Sequence, residues 1–525
     1  MEHAEGYERR WWILGVLCLS LLVIGLDNTI LNVAIPTLVR DLGASNSQLQ
    51  WIVDAYTLVF ACLLLTAGSL SDKYGRRSAL ALGLMIFGFG SMASAFAGSA
   101  TTLIFTRALM GFGGALIMPS TLSILTNVFP AEERGRAIGI WAGVSGLGIG
   151  IGPVVGGWLL THFWWGSVFL VNVPVVIFAL IAGRLIIPNS KDPSAPRLDP
   201  VGAVLSIVGL FALVYGIIEA PSNGWTDPVI LVSFTVAAIV LASFVVWERR
   251  SDHPMLNLEF FKNPRFTAAN ISITLVFFAL FGSLFFLTQY LQFVLGYSAL
   301  QAGYRVAPIA LVLIVVSPIT GRLVNQVGNK ILVVFGMAVV AGGLWFLSTA
   351  TIDSGYGHVL ISIMILGTGM ALAMTPATES IMGSLPLAKA GVGSAMNDTT
   401  RQVGGALGVA ILGSVFASAY TAALRPVLSG LATPTTDQAL SSVGAAIAIG
   451  TKIGGAAGDA IVTAAKTSFI HAMDRGLNVG ALIAFVGAFV ALMWLPSRAP
   501  AVDAIEVHVD RHEGAIETVT ERVEP

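Results

Sequence analysis

Apolar runs of about twenty residues recur along this chain from Trp12 almost to Ser497, separated by short charged or turn-forming breaks. A run of that length crosses about 30 Å of hydrocarbon as a helix. Fourteen such runs are legible, near 12–34, 51–70, 79–97, 102–125, 137–160, 166–187, 199–218, 228–247, 267–293, 304–324, 331–349, 358–382, 392–421 and 478–496. Only 11% of the 525 residues are charged, against about 25% in soluble domains. The mean hydropathy is +0.83. A chain this long cannot cover a water-facing surface with so few charges. The fold class expected is an all-α membrane protein with fourteen transmembrane helices.

The basic residues orient the spans. With the N-terminus inside, most of the 28 Lys and Arg residues lie on the cytoplasmic side, among them Arg9, Arg10, Lys73, Arg76, Arg77, Arg134, Arg249, Arg250, Lys330 and Lys389. The short outer loops then hold only Arg40 and Arg305. An even number of spans returns the C-terminus to the same side, so both termini are expected to be cytoplasmic in a multi-pass protein of the cytoplasmic membrane. No small-residue cleavage site follows the first run, which therefore reads as a retained span. Residues 422–476 form the one sizeable segment outside the bilayer, with Asp437–Ile449 and Ala456–Met473 as arms of a short hairpin. Residues 497–525 read as a polar cytoplasmic tail.

Several function classes are excluded. A net charge of −1 lacks the basic footprint of a nucleic-acid binder. Cys18 and Cys62 are the only cysteines, too few for a disulfide framework or a zinc site. The seven histidines fall in loops, tails or span ends without metal-ligand spacing. There is no phosphate-binding Gly-Lys-Ser/Thr loop and no Gly-x-Ser-x-Gly elbow. No enzyme, metal or cofactor chemistry is expected. The anticipated partners are a small lipophilic molecule, protons and the bilayer, with the chain acting as a monomer.

The segment Gly68-Ser-Leu-Ser-Asp72-Lys-Tyr-Gly75-Arg76-Arg77 after the second span has a counterpart after the tenth, Gly321-Arg-Leu-Val-Asn325-Gln-Val-Gly328-Asn-Lys330. Gly, Leu, Asp/Asn, Gly and a final basic residue recur at the same offsets. Each lies between the second and third spans of a six-span unit if the seventh and eighth spans are an insertion. Two such halves enclosing a midplane site are an established transporter architecture. The domains expected are 1–187, a six-helix bundle; 188–266, two inserted helices and linkers; 267–496, a second six-helix bundle carrying the 422–476 segment; and the tail.

Further motifs follow in order: Leu26-Asp27 through Asn32 to Pro36 in span one, Trp51-Ile-Val-Asp54-Ala-Tyr56 in span two, and Arg107 to Gly111 in span four. Span five carries Gly148-Ile-Gly150-Ile-Gly152-Pro153-Val-Val-Gly156-Gly157, and span six Asn172-Val-Pro174. With these the chain resembles the major facilitator superfamily, specifically its 14-span drug:proton antiporters of the QacA type. The resemblance implies the major facilitator fold of two six-helix bundles plus two inserted helices. It also implies export, because the span-five motif is the antiporter signature. Unlike QacA-type exporters, this chain has no acid in span ten, near Leu313, and has Asn397-Asp398 where they carry two acids.

Charges within spans cost about 2.5 kcal/mol or more each, which makes them functional candidates. Asp27 lies about 22 Å into span one at 1.5 Å per residue; Asp54 and Arg107 fall in the same outer half, where one polar cavity could hold all three. Asp27 is the candidate proton acceptor and cation-attracting group, with Asp54, Arg107 and the Asp398/Arg401 pair of span thirteen as coupling candidates. By resemblance, Gly68, Asp72, Gly75, Arg76 and Arg77 form a conformational latch. The glycines and Pro153 of span five suit close helix approach. Asn32, Trp51, Tyr56, Trp141, Phe285, Gln289 and Tyr290 are candidate cavity lining for flat cationic drugs. The expected function is a proton-coupled antiporter that exports lipophilic cationic drugs by alternating access. The alternatives are a dedicated exporter of an endogenous metabolite, antibiotic or amino acid and, in another class, a membrane-bound enzyme or lipid-handling protein.

Overall fold

A computed structural model describes residues 7–191, 199–385, 390–429 and 432–496. The tail 497–525 and Lys389 lie outside these residues. The helices in chain order are α1 Arg10–Leu42, α2 Asn46–Tyr74, α3 Arg76–Ala95, α4 Ala100–Val128, α5 Ala131–His162, α6 Ser167–Leu170 and α7 Asn172–Ile186. Then come α8 Pro200–Asn223, α9 Pro228–Arg250, α10 Pro264–Gln289 with a π turn over Tyr290–Val294, α11 Ala299–Val306 and α12 Pro308–Val327. The series ends with α13 Asn329–Ser348, α14 Tyr356–Met382, α15 Ala390–Leu424, α16 Thr433–Ser441, α17 Val443–Ile453 and α18 Gly455–Trp494. No strand occurs among the described residues. Among the described residues, thirteen segments are long and apolar enough to cross a membrane. Helix α5, 32 residues long, brings those of spanning length to fourteen.

Local chemistry sets the breaks. Ser45 and Gln48 form a reciprocal capping box at the start of α2, and Ser298 with Gln301 repeats it at α11. Gly75 (φ 119°) and Gly328 (φ 87°) stand at equivalent places of the internal repeat. Each turns the chain between two consecutive spans through a backbone conformation that a side chain disfavours. The sixth span is broken at Val171 and the tenth at Ala307, just before Pro308.

We call the side from which α1 starts proximal and the opposite side distal. Helices α1 to α7 pack on one another, chiefly α2 on α4, α1 on α5 and α3 on α4. Helices α10 to α18 form a second packed group through α10 on α15, α13 on α14 and α13 on α18. The α8–α9 pair leans on both groups, since α8 touches α2 and α15. Helix α9 turns Val229, Leu231, Val232 and Ile239 outward, as a lipid-facing span does.

The 422–476 segment differs from expectation. Helix α15 runs on to Leu424, and the second arm of the expected hairpin is the first half of α18, a single helix of 40 residues. No proline interrupts the sequence from Gly455 to Trp494, so the last span continues, over about 60 Å in all. The reversal at Gly454 and Gly455 (φ 66° and 60°) lays α17 back along it.

Candidate transport site

The site begins with three helices that bring polar groups to the middle of the first packed group. On α1, Asp27 is fully buried. Arg107 of α4 is 1% exposed and donates through Nη1 to Asp27 Oδ2. The same guanidinium donates through Nε to the carbonyl of Ile52 (3.1 Å) and lies 4.3 Å from the ring centre of Tyr56. Its charge is thus met by a carboxylate, a backbone dipole and an aromatic face, all three on α1 and α2. Asn172 completes the shell, its Nδ2 lying 3.4 Å from Asp27 Oδ1 and 3.1 Å from Ser91 Oγ. It can reach because the sixth span breaks immediately before it.

Asp54 is placed apart. It is fully buried, neither carboxyl oxygen has a hydrogen-bond partner, and Arg107 pairs with Asp27 instead. It lies one turn from Gln50, which meets α15 at Gly413, and one from Leu58, which shares an apolar cluster with Ala410 of α15. The single polar cavity expected for Asp27, Asp54 and Arg107 is therefore a bonded pair with a separate, unpartnered acid near the seam between the two groups.

Helix α5 presents two faces of small residues. Gly148, Gly152 and Gly156, each four residues apart, lie against α1: a Cβ on them would stand 2.8 Å from Gly25 Cα, 3.1 Å from Leu26 O and 3.2 Å from Ile30 O. Thr29 Oγ1 donates across to Gly148 O at 3.2 Å. These contacts bracket Asp27. The other face, with Gly150, Pro153 and Gly157, meets the second group. Gly150 abuts Ala310, Pro153 abuts Gly303, and a Cβ on Gly157 would stand 2.6 Å from Ala299 O. One helix thus touches both the stretch of α1 that carries Asp27 and the opposing group.

On the distal side the groups are closed on one another. Gln292 Nε2 donates to Val33 O at 2.9 Å. A Cβ on Gly413 would stand 2.7 Å from Gln50 Cδ, and one on Gly444 of α17 would stand 2.7 Å from Val39 and 2.8 Å from Phe293. At the proximal end, Asp72 pairs with Arg76 (2.7 Å) within its own turn and does not reach the second group. Gly68 lies by Pro119, and Arg77 Nη1 donates to Ile187 O at 3.2 Å.

The remaining candidates are distributed as follows. Asp398 and Arg401 are 3.7 Å apart on α15, with Arg401 5.4 Å from the ring centre of Phe277. Trp141 Nε1 donates to Thr121 Oγ1 at 3.1 Å. Asn32 donates to Asn28 O and Gln289 to Phe285 O, each one turn back along its own helix. Trp51, Phe285 and Tyr290 are buried against neighbouring side chains. Trp51 turns away to α8, where its indole donates to Glu219 Oε1 (2.9 Å) and its ring packs on Phe211. Phe285 is packed against Phe286, and Tyr290 donates to Thr351 O at 2.7 Å. Residues that sequence reasoning passed over are Asn172, quoted only within its motif, and Glu219, which also accepts from Ser47 Oγ at 2.6 Å. Among the described residues no group of three or more His, Cys, Asp or Glu side chains gathers as a metal site.

Comparison with known proteins places this geometry. The family model described as Major Facilitator Superfamily matches residues 17–409. The tetracenomycin C resistance and export protein of Streptomyces glaucescens is 35% identical over 499 residues, covering 93% of this chain and 92% of that protein. The multidrug efflux pump LfrA of Mycolicibacterium smegmatis is 36% identical over 477 residues, covering 91% and 94%. Among solved structures, a bacterial homologue of the human lysosomal transporter Spinster, inward-facing and unoccupied, superposes with a TM-score of 0.65. It is 18% identical and covers 94% of this chain and 99% of that one, a likeness of fold alone.

Proposed function

The chain belongs to the Major Facilitator Superfamily, and from that premise we propose that it exports lipophilic, cationic drugs across the cytoplasmic membrane in exchange for protons. Its relatives are drug and antibiotic export proteins across nearly their whole length, and a transporter rather than an enzyme is the reading they support. The observation that carries the mechanism is the buried Asp27–Arg107 pair on α1 and α4, with α1 packed around Asp27, at Gly25, Leu26 and Thr29, on the glycine face of α5, the helix that also abuts the second group.

We read the proximal side as cytoplasmic from the distribution of Lys and Arg. The closed distal contacts then make this the inward-facing state, with residues 1–187 and 267–496 as the two moving halves and 188–266 as an insertion. A substrate cation enters from the cytoplasm and competes with Arg107 for the Asp27 carboxylate. Rocking about the α5 seam exposes the site outward. A proton taken up outside neutralises the acid and releases the drug. Asp54 serves as the second proton carrier: a buried carboxyl with no partner is costly as an anion, and a proton removes that cost. Asp72, Arg76 and Arg77 act as the latch of the outward-facing state, engaging the second half once the proximal ends close. Asp398 and Arg401 are a gating pair of the second half.

The test is ethidium efflux from energised cells expressing the chain. Efflux abolished by a protonophore and by Asp27→Asn establishes the reading. Absence of efflux from folded, membrane-inserted protein overturns the multidrug reading and favours a dedicated metabolite, as the tetracenomycin C relative exemplifies.

A further inference from the structure

At the proximal end, outside the transport pathway, α3 and α7 diverge to leave a crevice of about 440 Å³. Its floor is apolar and buried, with Leu80, Leu84 and Ala179, and its rim of Met85, Ile181 and Leu185 is exposed on the outer surface of the helix bundle. Two arginines close the proximal end of the crevice: Arg77, half-buried at the start of α3, and Arg184, exposed in the last turn of α7. The chain after α7 folds beneath them. Arg76 N donates to Ser190 O at 3.0 Å, and Arg77 Nη1 to Ile187 O. Gly75 sits close against Asn189 and Lys191; a Cβ there would stand 3.4 Å from Lys191 Cε. A third cation therefore approaches the same place. The one carboxylate of this turn, Asp72, is taken by Arg76. No carboxylate among the described residues pairs with Arg77, Arg184 or Lys191. Arg77 has further N–H donors beyond the one spent on Ile187.

An apolar slot opening sideways into hydrocarbon, crowned at headgroup depth by cations that no described carboxylate pairs, matches one kind of molecule. We propose that this crevice binds an anionic phospholipid of the adjoining leaflet, its phosphate between Arg77 and Arg184 and one acyl chain lying along the α3–α7 floor. The charge selects the lipid: a cationic drug is repelled by the same arginines, and a free phosphate has no use for the apolar floor. Basic pockets between spans are suited to such headgroups. The occupant touches the Gly75 turn and the linker to the inserted helices together. Which leaflet it comes from rests on the orientation proposed above, whereas binding itself does not.

The test is native mass spectrometry of the full purified chain in detergent, with dioleoyl phosphatidylglycerol or dioleoyl phosphatidylcholine added. The expected result is retention of one phosphatidylglycerol in preference to phosphatidylcholine. Retention should weaken about fivefold in Arg184→Gln, the weight of one cation near an anionic headgroup, about 1 kcal/mol. It should hold in Arg249→Gln/Arg250→Gln, a basic pair at the proximal end of α9. Ala81→Trp, which fills the crevice and keeps both arginines, should also lose the lipid. Equal retention of the two lipids, or an unchanged Arg184→Gln, overturns the site. Displacement by inorganic phosphate with no effect of Ala81→Trp overturns the lipid in favour of a free anion. Transport activity does not enter the readout, so failure of the drug reading leaves this test intact.

Discussion

Removing the charge from Asp27 leaves Arg107 buried with its anion gone, whereas removing it from Asp54 strands nothing. Breaking a buried ion pair from one side costs about 3–5 kcal/mol in proteins where it has been measured. Asp27→Asn should therefore lower the melting temperature of the purified protein as well as stop efflux. Adding Arg107→Gln should restore the melting temperature without restoring efflux. Asp54→Asn should leave the melting temperature essentially unchanged, because neither oxygen has a partner to lose. Its efflux should fall and lose its dependence on external pH. Equal thermal penalties for the two aspartates would contradict the assignment of different roles. The sequence made both acids visible, since a charge within an apolar run stands out. It could not show that Arg107 belongs to Asp27 alone, because span two supplies both Asp54 and the Ile52 carbonyl within half a turn. Asn172 was hidden for another reason: a lone amide within an apolar run is unremarkable until the break at Val171 lets it reach Asp27.

The glycines of α5 act at the scale of the element, where their spacing matters more than their number. Gly148, Gly152 and Gly156 repeat every four residues and let the backbones of α1 and α5 touch, as small residues do between spans. Gly152→Val should place a branched side chain where Leu26 O already lies within 3.1 Å of a Cβ, and abolish efflux with loss of folded protein. Gly143→Ala, with nothing within 4 Å, should be neutral in both assays. Gly157→Ala meets α11 instead of α1. It should fold normally and shift the protein away from the distally closed state, read as faster thiol labelling of a cysteine placed at Gln50. The fourfold spacing was legible from residues alone, but which partner each face meets was not, because the identity of α11 as the facing element is set by tertiary packing. Element ends were the least legible feature for the same reason. Apolar runs stop where lipid contact stops, yet α2 continues to Tyr74 and α18 begins at Gly455, since hydrogen-bonded helix here extends as far as the glycine turns at Gly75 and Gly454.

At the scale of the whole molecule, the α8–α9 pair sits where a rocking motion should be felt. Helix α8 touches both α2 and α15, and Glu219 ties it to Trp51 and Ser47 of α2. The α8–α9 pair was legible as two apolar runs; its seat on the seam was not, because a lipid-facing and a seam-facing span read alike. That seam gives a direct test of alternating access. The two native cysteines, Cys18 and Cys62, are both buried, and replacing them by Ala and Ser leaves a background in which new thiols are the reactive ones. Gln50→Cys with Gly413→Cys then places one thiol on each half, at a point where a Cβ on Gly413 meets the Gln50 side chain at 2.7 Å. Oxidation or a short bifunctional reagent should link them efficiently in resting membranes and stop efflux, and reduction should restore it. Substrate cycling driven by a proton gradient should slow the linking, because the outward-facing state separates the pair. Linking that forms readily and leaves efflux intact would mean that α2 and α15 remain together throughout the cycle. The distal contacts would then be a fixed hinge rather than a gate, and the moving seam would have to be sought at α5 and α11.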